Sequence, residues 1–204
     1  MLSFNLYLIT DRSLTKKGLI DSVKQALNAG IKAVQLREKD LSIKELVTLA
    51  DSLRKITEQY GAMLFINDRV DVALCTGADG VQLNSTSIPV KAVRKFVKDD
   101  LYIGVSCHSL KEAANAQDEG ADFVTLGPAF ETPSKIKYGS PIGLLPIRNA
   151  KKSLKIPIFA IGGIKLDHVT GIMKCGADGI ALISGILAQD DVYGASIKYL
   201  ELLK

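Results

Sequence analysis

The chain has 204 residues, of which 47% are hydrophobic and 24% charged, a balance that suits one globular domain with a sizeable core and excludes disordered and fibrous classes. Its formal charge of +4 is mild and its lysines are dispersed, whereas nucleic-acid binders gather basic charge on one face, so a small anionic ligand accounts for the excess as well. Cys75, Cys107 and Cys175 have neither disulfide-framework nor CxxC spacing, which predicts reduced packing residues rather than a disulfide scaffold or a zinc site.

The first apolar run, Leu6 to Thr10, is too short for a signal segment or a membrane span and is followed at once by Asp11 and Arg12, so the expected location is the cytoplasm, with no membrane partner. From there, short β-branched runs alternate with longer amphipathic stretches, the pattern of a parallel sheet covered by helices. The predicted strands are Leu6 to Ile9, Ala33 to Leu36, Met63 to Ile66, Gly80 to Leu83, Tyr102 to Val105, Phe123 to Leu126, Ile158 to Ile161 and Gly179 to Leu182. Ile43 to Gln59 and Ser109 to Asp118 carry helical spacing.

A repeat runs through the even strands: AGIKAVQL from Ala29, TGADGVQL from Thr76, EGADFVTL from Glu119 and CGADGIAL from Cys175. In each copy a glycine (Gly30, Gly77, Gly120, Gly176) stands where a helix needs a C-terminal residue free to take positive φ. Eight βα units over residues 1–204 predict the α/β class, a single-domain (β/α)8 TIM barrel, with an open doubly wound sheet as the rival architecture.

In both architectures the chemistry belongs at the carboxyl ends of the strands. Those ends read Thr10-Asp11-Arg12, Arg37-Glu38-Lys39, Asn67-Asp68-Arg69, Asn84 to Ser87, Ser106-Cys107-His108, Gly127-Pro128, Gly162-Gly163 and Ile183-Ser184-Gly185. The glycine pair after strand seven and Ser-Gly after strand eight fit the usual barrel phosphate site, where backbone N–H groups and a helix N-terminus meet an anion; a merely tight turn is the plainer alternative. Gln35 and Arg37, two apart, point into the mouth if the strand continues, and Lys39 can swing over from the loop. Two cations at one rim suit a diphosphate.

Asn67 and Asp68 offer hard oxygen ligands for a magnesium ion that bridges phosphates, although a lone Asp here is also a common helix cap. Glu38 has the alternative of an outward salt bridge, and His108 that of a cap or loop hydrogen bond. The long segment Gly127 to Gly139, rich in hydroxyls and lysines, is suited to close over an anionic substrate as a lid.

These segments resemble a known family, thiamine phosphate synthase and its relative TenI, the thiazole tautomerase. The likeness covers nearly the whole chain: YLITDR from Tyr7, QLREK from Gln35, INDRVDVAL from Ile66, GADGVQL from Gly77, IGVSCHS from Ile103, GADFVTLGPAF from Gly120, AIGGI from Ala160 and GADGIALISGI from Gly176. The resemblance implies an enzyme that joins hydroxymethylpyrimidine diphosphate to thiazole phosphate, releasing pyrophosphate. It implies that Arg37, Lys39, Asn67, Ser106 and Lys135 hold pyrophosphate, that Gln35 lies near the pyrimidine, and that Mg2+ sits on Asp68. Thr132, Ser134, Gly163, Ile183 and Ser184 would hold the thiazole phosphate, and relatives imply a homo-oligomer.

Two positions depart from the family's patterns. Where synthases carry a second metal-binding aspartate this chain has Ser87, and where the tautomerase carries its presumed acid/base histidine it has Pro128, which cannot transfer a proton. A tautomerase and a non-catalytic phosphate-binding protein are therefore the alternatives to a synthase. Pyrophosphate release that needs both substrates and metal separates the synthase from both.

Overall fold

The structure, a computed structural model, describes residues 2–132 and 141–204. Eight parallel strands pair in sequence order and the eighth closes on the first: β1 (Leu6–Ile9), β2 (Ala33–Leu36), β3 (Met63–Asn67), β4 (Gly80–Leu83), β5 (Tyr102–Cys107), β6 (Phe123–Leu126), β7 (Ile158–Ile161) and β8 (Gly179–Leu182). The helices between and after them are α1 (Leu19–Asn28), α2 (Ile43–Gln59), α3 (Val70–Cys75), α4 (Val90–Val97), α5 (Leu110–Asp118), α6 (Leu145–Ser153), α7 (Leu166–Lys174), α8 (Ser184–Leu187) and α9 (Val192–Leu202). The expected (β/α)8 barrel is what forms, and the open sheet is excluded by the β1–β8 pairing. No described helix is long and apolar enough to cross a membrane.

Local chemistry places the helices. Ser42 and Glu45 form a reciprocal capping box at the start of α2, and the Ser109 hydroxyl accepts the Glu112 N–H at the start of α5. The four repeat glycines all take positive φ, from 60° to 111°. Past α1, α3 and α5 the next residue bonds back over a full turn, Ile31 to Ala26 (3.2 Å), Ala78 to Ala73 (3.0 Å) and Ala121 to Ala116 (2.9 Å), the closure that a left-handed C-terminal residue permits.

Two layers of core hold the barrel. Outside the sheet, Val23, Leu27, Val34, Leu53, Leu64, Val81, Val124 and Ile180 are buried against the helices. Inside, Phe4, Tyr7, Phe65, Phe123 and Phe159 pack with ring centroids 5.0–6.3 Å apart. The rings fit because their neighbours in register are small: Tyr7 faces Ala33 and Ala181, Phe65 faces Gly80, Phe123 faces Gly104 and Phe159 faces Gly179. A Cβ on Gly104 would lie 2.3 Å from Phe123. This aromatic floor leaves the carboxyl-terminal mouth for polar groups.

Candidate active site

At the mouth, the loops after β1 and β2 are stitched together. Thr10, fully buried, accepts the Arg37 N–H at its hydroxyl (2.8 Å) and donates to Glu38 Oε1 (2.7 Å). The Arg12 N–H donates to both Glu38 oxygens (3.1 and 3.2 Å), while its guanidinium pairs with Glu38 and, through two bonds of 2.6 Å, with Asp40. Asp40 is thereby held below the usual carboxylate range by the Arg12 bonds, and Arg12 is raised by the same contact. Glu38 does form a salt bridge, but its side chain is 3% exposed and turned into the loop rather than outward. With both local carboxylates committed to Arg12, the flanking Arg37 and Lys39 have no side-chain hydrogen bond or ion pair among the described residues. Arg37 is partly buried and Lys39 exposed.

After β3 the chain turns sharply. Asp68 takes φ +66° and the Arg69 N–H bonds back to the Asn67 carbonyl at 2.8 Å, a three-residue turn of the strained hand. The Asp68 N–H is tied to the Gln82 carbonyl of β4 at 2.9 Å. The position capping α3 is Arg69, with no side-chain cap bond, and Arg69 pairs with Asp71. Asp68 is therefore not the helix cap that a lone Asp here most often is, and its carboxylate makes no hydrogen bond or ion pair among the described residues. Across the mouth loop after β4, the Ser87 hydroxyl accepts the Asn84 N–H at 2.9 Å, and Asn84 Oδ1 accepts from Thr86. Ser87 closes its own turn.

Beneath this rim a tier of buried polar side chains crosses the barrel. Gln35 Nε2 donates to Tyr7 Oη (3.2 Å), Tyr7 Oη donates to Gln82 Oε1 (3.4 Å), and Gln82 Nε2 donates to Ser106 Oγ (3.1 Å) and Thr125 Oγ1 (3.4 Å). Thr125 donates in turn to Ser106 at 3.4 Å. Burial pushes the Tyr7 phenol well above its ordinary pKa, so it keeps its proton. Beside Ser106, the Cys107 thiol points away and burial raises it to about 12. His108 takes the plainer of its two roles, its Nδ1 lying 2.6 Å from the Gly127 carbonyl and its N–H bonding Glu112.

On the far side, the loop after β6 runs along β7. Ala129 and Phe130 donate to the carbonyls of Ile161 (2.8 Å) and Gly162 (3.0 Å), and Phe130 stacks on His168 of α7 with centroids 3.7 Å apart. Gly163, at φ +65°, lies under this loop: a Cβ there would be 2.4 Å from the Glu131 carbonyl oxygen and 2.6 Å from that of Phe130. The absence of a side chain at Gly163 thus admits the β6 loop. Thr132 ends the described part of that loop, and Ser134 and Lys135 lie outside the described residues. Ile183 leaves β8 packed against the inner core, and Ser184 and Gly185 open α8, where first-turn N–H groups have no carbonyl within the helix.

The barrel brings Gln35, Arg37, Lys39, Asn67, Asp68, Ser106, Gly163, Ile183 and Ser184 to one rim, because all eight strands are parallel. Sequence reasoning missed Tyr7, Gln82 and Thr125. Their signal was present: the repeats VQL, VQL, VTL and IAL put Gln35, Gln82, Thr125 and Ala181 at the same inward position, and three of the four are polar.

Comparison with known proteins gives the family. Residues 6–186 match the family described as thiamine monophosphate synthase. The thiamine-phosphate synthase of Clostridium novyi is 41% identical over 96% of this chain and 96% of its own, and that of Pyrococcus horikoshii 42% identical over 94% and 90%. The solved thiamine phosphate pyrophosphorylase of Pyrococcus furiosus superposes with a TM-score of 0.91 at 39% identity, covering 98% of this chain and 95% of that one. The chain belongs to the thiamine monophosphate synthase family.

Proposed function

We propose that this chain is a transferase of thiamine biosynthesis that joins the methylene of hydroxymethylpyrimidine diphosphate to the ring nitrogen of thiazole phosphate and releases pyrophosphate. The observation that carries this reading is the division of charge at the rim: Arg12 satisfies Glu38 and Asp40, so that among the described residues Arg37 and Lys39 have no carboxylate partner and can meet a polyanion. As the C–O bond to the diphosphate breaks, negative charge grows on the leaving oxygens, and fixed cations next to them stabilise that charge more than the ground state. Arg37, Lys39, Asn67 and Ser106 are the residues we assign to the pyrophosphate, together with Lys135. Gln35 faces the pyrimidine, and Thr132, Ser134, Gly163, Ile183 and Ser184 take the thiazole phosphate. No side-chain nucleophile is required, since the pyrimidine methylene can depart as a resonance-stabilised cation and the thiazole nitrogen then bonds to it.

The residues fit a magnesium ion that arrives with substrate. Asp68 and Asn67 present adjacent hard oxygens, no group of three acidic, histidine or cysteine side chains that could cage a metal occurs among the described residues, and Mg2+ commonly takes one or two carboxylates plus substrate phosphates. Asp68 would hold it, and when bound it supplies charge neutralisation on the leaving pyrophosphate. Nothing favours tautomerase chemistry: position 128 is a proline whose Cα would lie 2.7 Å from a Cβ on Gly162, and whose carbonyl accepts the Ile142 N–H.

The test is a coupled pyrophosphate-release assay. Turnover should require both substrates and Mg2+, and Arg37→Ala should lower kcat/KM by about 100-fold or more, the scale of one well-placed charge stabiliser. Release of pyrophosphate from the pyrimidine diphosphate at the same rate without thiazole phosphate, or no release at all, would overturn the reading.

A further inference from the structure

The polar tier under the mouth is a chain of hydrogen bonds with a direction. Each amide in it has a donor end and an acceptor end, and each hydroxyl has one proton to give. Starting from Ser106, two groups donate to its oxygen, Gln82 Nε2 and Thr125 Oγ1. The Ser106 proton is therefore left over to be given to something in the mouth. Gln82, having spent its NH2 on Ser106 and Thr125, presents Oε1 to Tyr7. Tyr7 spends its one proton on that oxygen, and so can only accept from Gln35, which supplies Nε2. Gln35 is left with its carbonyl oxygen. Among the described residues that atom accepts no hydrogen bond, and no fully buried side-chain nitrogen or oxygen there is without a partner, so Gln35 Oε1 keeps some exposure toward the mouth although the residue as a whole is 2% exposed.

The four side chains from Gln35 to Ser106 admit a second satisfied arrangement, with both amides turned over and the links between them reversed, while Thr125 keeps its one proton to give to Ser106 or to Gln82. Ser106 would then donate to Gln82 Oε1, Gln82 Nε2 to Tyr7, and Tyr7 to Gln35 Oε1, leaving Ser106 as an acceptor and Gln35 with its NH2 toward the cavity. The links through Tyr7 and Thr125 at 3.4 Å are long for hydrogen bonds, so little binding energy resists a reversal. What a ligand does at one end decides which arrangement holds. An anion at Ser106 has only lone pairs to offer and so needs the Ser106 proton, which selects the first arrangement. At the other end this turns Gln35 into an acceptor.

We propose that Tyr7 and Gln82 are specificity-determining positioning residues: through their hydrogen bonds, pyrophosphate on Ser106 fixes the Gln35 carbonyl oxygen toward the pyrimidine, so that the site selects a ring bearing an amino group over its oxo analogue. This rests on the synthase reading for the places of Ser106 and Gln35, and goes beyond it in linking the two ends of one substrate through the floor of the barrel. An oxo group opposite the Gln35 oxygen would bring two acceptors together and leave both unpaired, the kind of mismatch that a buried polar site rejects strongly.

The experiment uses the two halves of the substrate as separate ligands of the intact protein: inorganic pyrophosphate with Mg2+, and the aminopyrimidine alcohol or its 4-oxo counterpart, by titration calorimetry. In the wild type, saturating pyrophosphate should tighten the aminopyrimidine at least about five-fold relative to the oxo compound, a coupling of ordinary size. Tyr7→Phe, which removes the middle oxygen and keeps the ring, should abolish that preference, and Gln82→Leu should do the same by cutting the chain one link later. Equal coupling for both rings in the wild type would overturn the proposal, as would full retention of the preference in whichever variants fold, checked by thermal melting. Failure of the wild type to form thiamine phosphate in the turnover assay would instead strike the synthase reading, and leaves the ring preference as a separate result.

Discussion

Asp68 is a non-glycine residue held at φ +66°, its carboxylate without a hydrogen bond or ion pair among the described residues, and such a conformation costs of order 1–3 kcal/mol and persists only where the surroundings impose it. The imposing contacts are the bonds from its own N–H to Gln82 and from Arg69 to Asn67. A strained backbone beneath an unused carboxylate is the combination expected where position matters more than stability. Asp68→Gly should therefore raise the melting temperature while lowering pyrophosphate release by about 100-fold or more, and Asp68→Asn should lose activity without the gain in stability. A glycine variant that is both active and more stable would remove Asp68 from the metal assignment. Ser87 looks different at this scale: its hydroxyl is engaged by Asn84, so a turn-closing group stands where the family's second carboxylate would be, and a magnesium ion arriving with substrate would rest on Asp68 and the substrate phosphates.

The repeats visible in the sequence turn out to build a device at the opposite, amino-terminal end of the barrel. In three copies the aspartate after Gly-Ala, just ahead of its own strand, accepts a backbone N–H at or just inside the start of the preceding strand and a cation from the helix that leads into that preceding strand. Asp79 takes Leu64 N–H and Arg54, Asp122 takes Ile103 N–H and Arg94, and Asp178 takes Ile158 N–H and Lys151. The copy beginning at Ala29 has Lys32 there, whose Nζ donates to the Tyr60 carbonyl instead. Each aspartate thus pins strand, helix and strand together. Asp122→Ala leaves the Ile103 N–H unpaired and removes the carboxylate from the Arg94 guanidinium, which keeps only its bonds to the Gly120, Lys98 and Leu101 carbonyls, and this should cost about 1–3 kcal/mol and lower the melting temperature by roughly 2–10 °C. Turnover at 25 °C should be unchanged, because the clamp lies a full strand length from the rim; a selective loss of kcat would show that the two ends are coupled.

This also explains what was legible in the sequence. Strands, most of their limits and the positive-φ glycines follow from local periodicity, and β3 and β5 merely run on through Asn67 and as far as Cys107. The rim follows from one topological rule. The roles of Glu38, Gly163 and Tyr7 do not, since each depends on which side chain another loop or strand places opposite it. The sequence offers Gly163 only as a place for an anion; that its missing side chain also makes room for the β6 loop depends on where that loop runs.

For the molecule as a whole, burial of weak acids sets an alkaline limit. Tyr7 and Cys107 are both kept neutral by desolvation, the thiol with its pKa raised from 9.0 to about 12. A group that binds its proton more tightly when folded contributes stability that is complete below its unfolded pKa and is lost as pH rises through the folded one. For Cys107 that window runs from about 9 to about 12, and at roughly 1.4 kcal/mol per unit the whole loss is about 4 kcal/mol at most. Tyr7 adds to the decline once the pH passes its ordinary value of 10.0. Urea unfolding of the wild type should show stability falling between about pH 8 and about pH 10.5, and Cys107→Ala should lose about 2 kcal/mol less over that interval, because its unfolded chain has no thiol at position 107 to ionise. The constant cost of truncating the side chain appears at both pH values and cancels in the difference. Parallel stability curves for the two proteins would mean that the Cys107 proton is shared with water in the folded state and that the barrel wall behind Ser106 is open rather than dry.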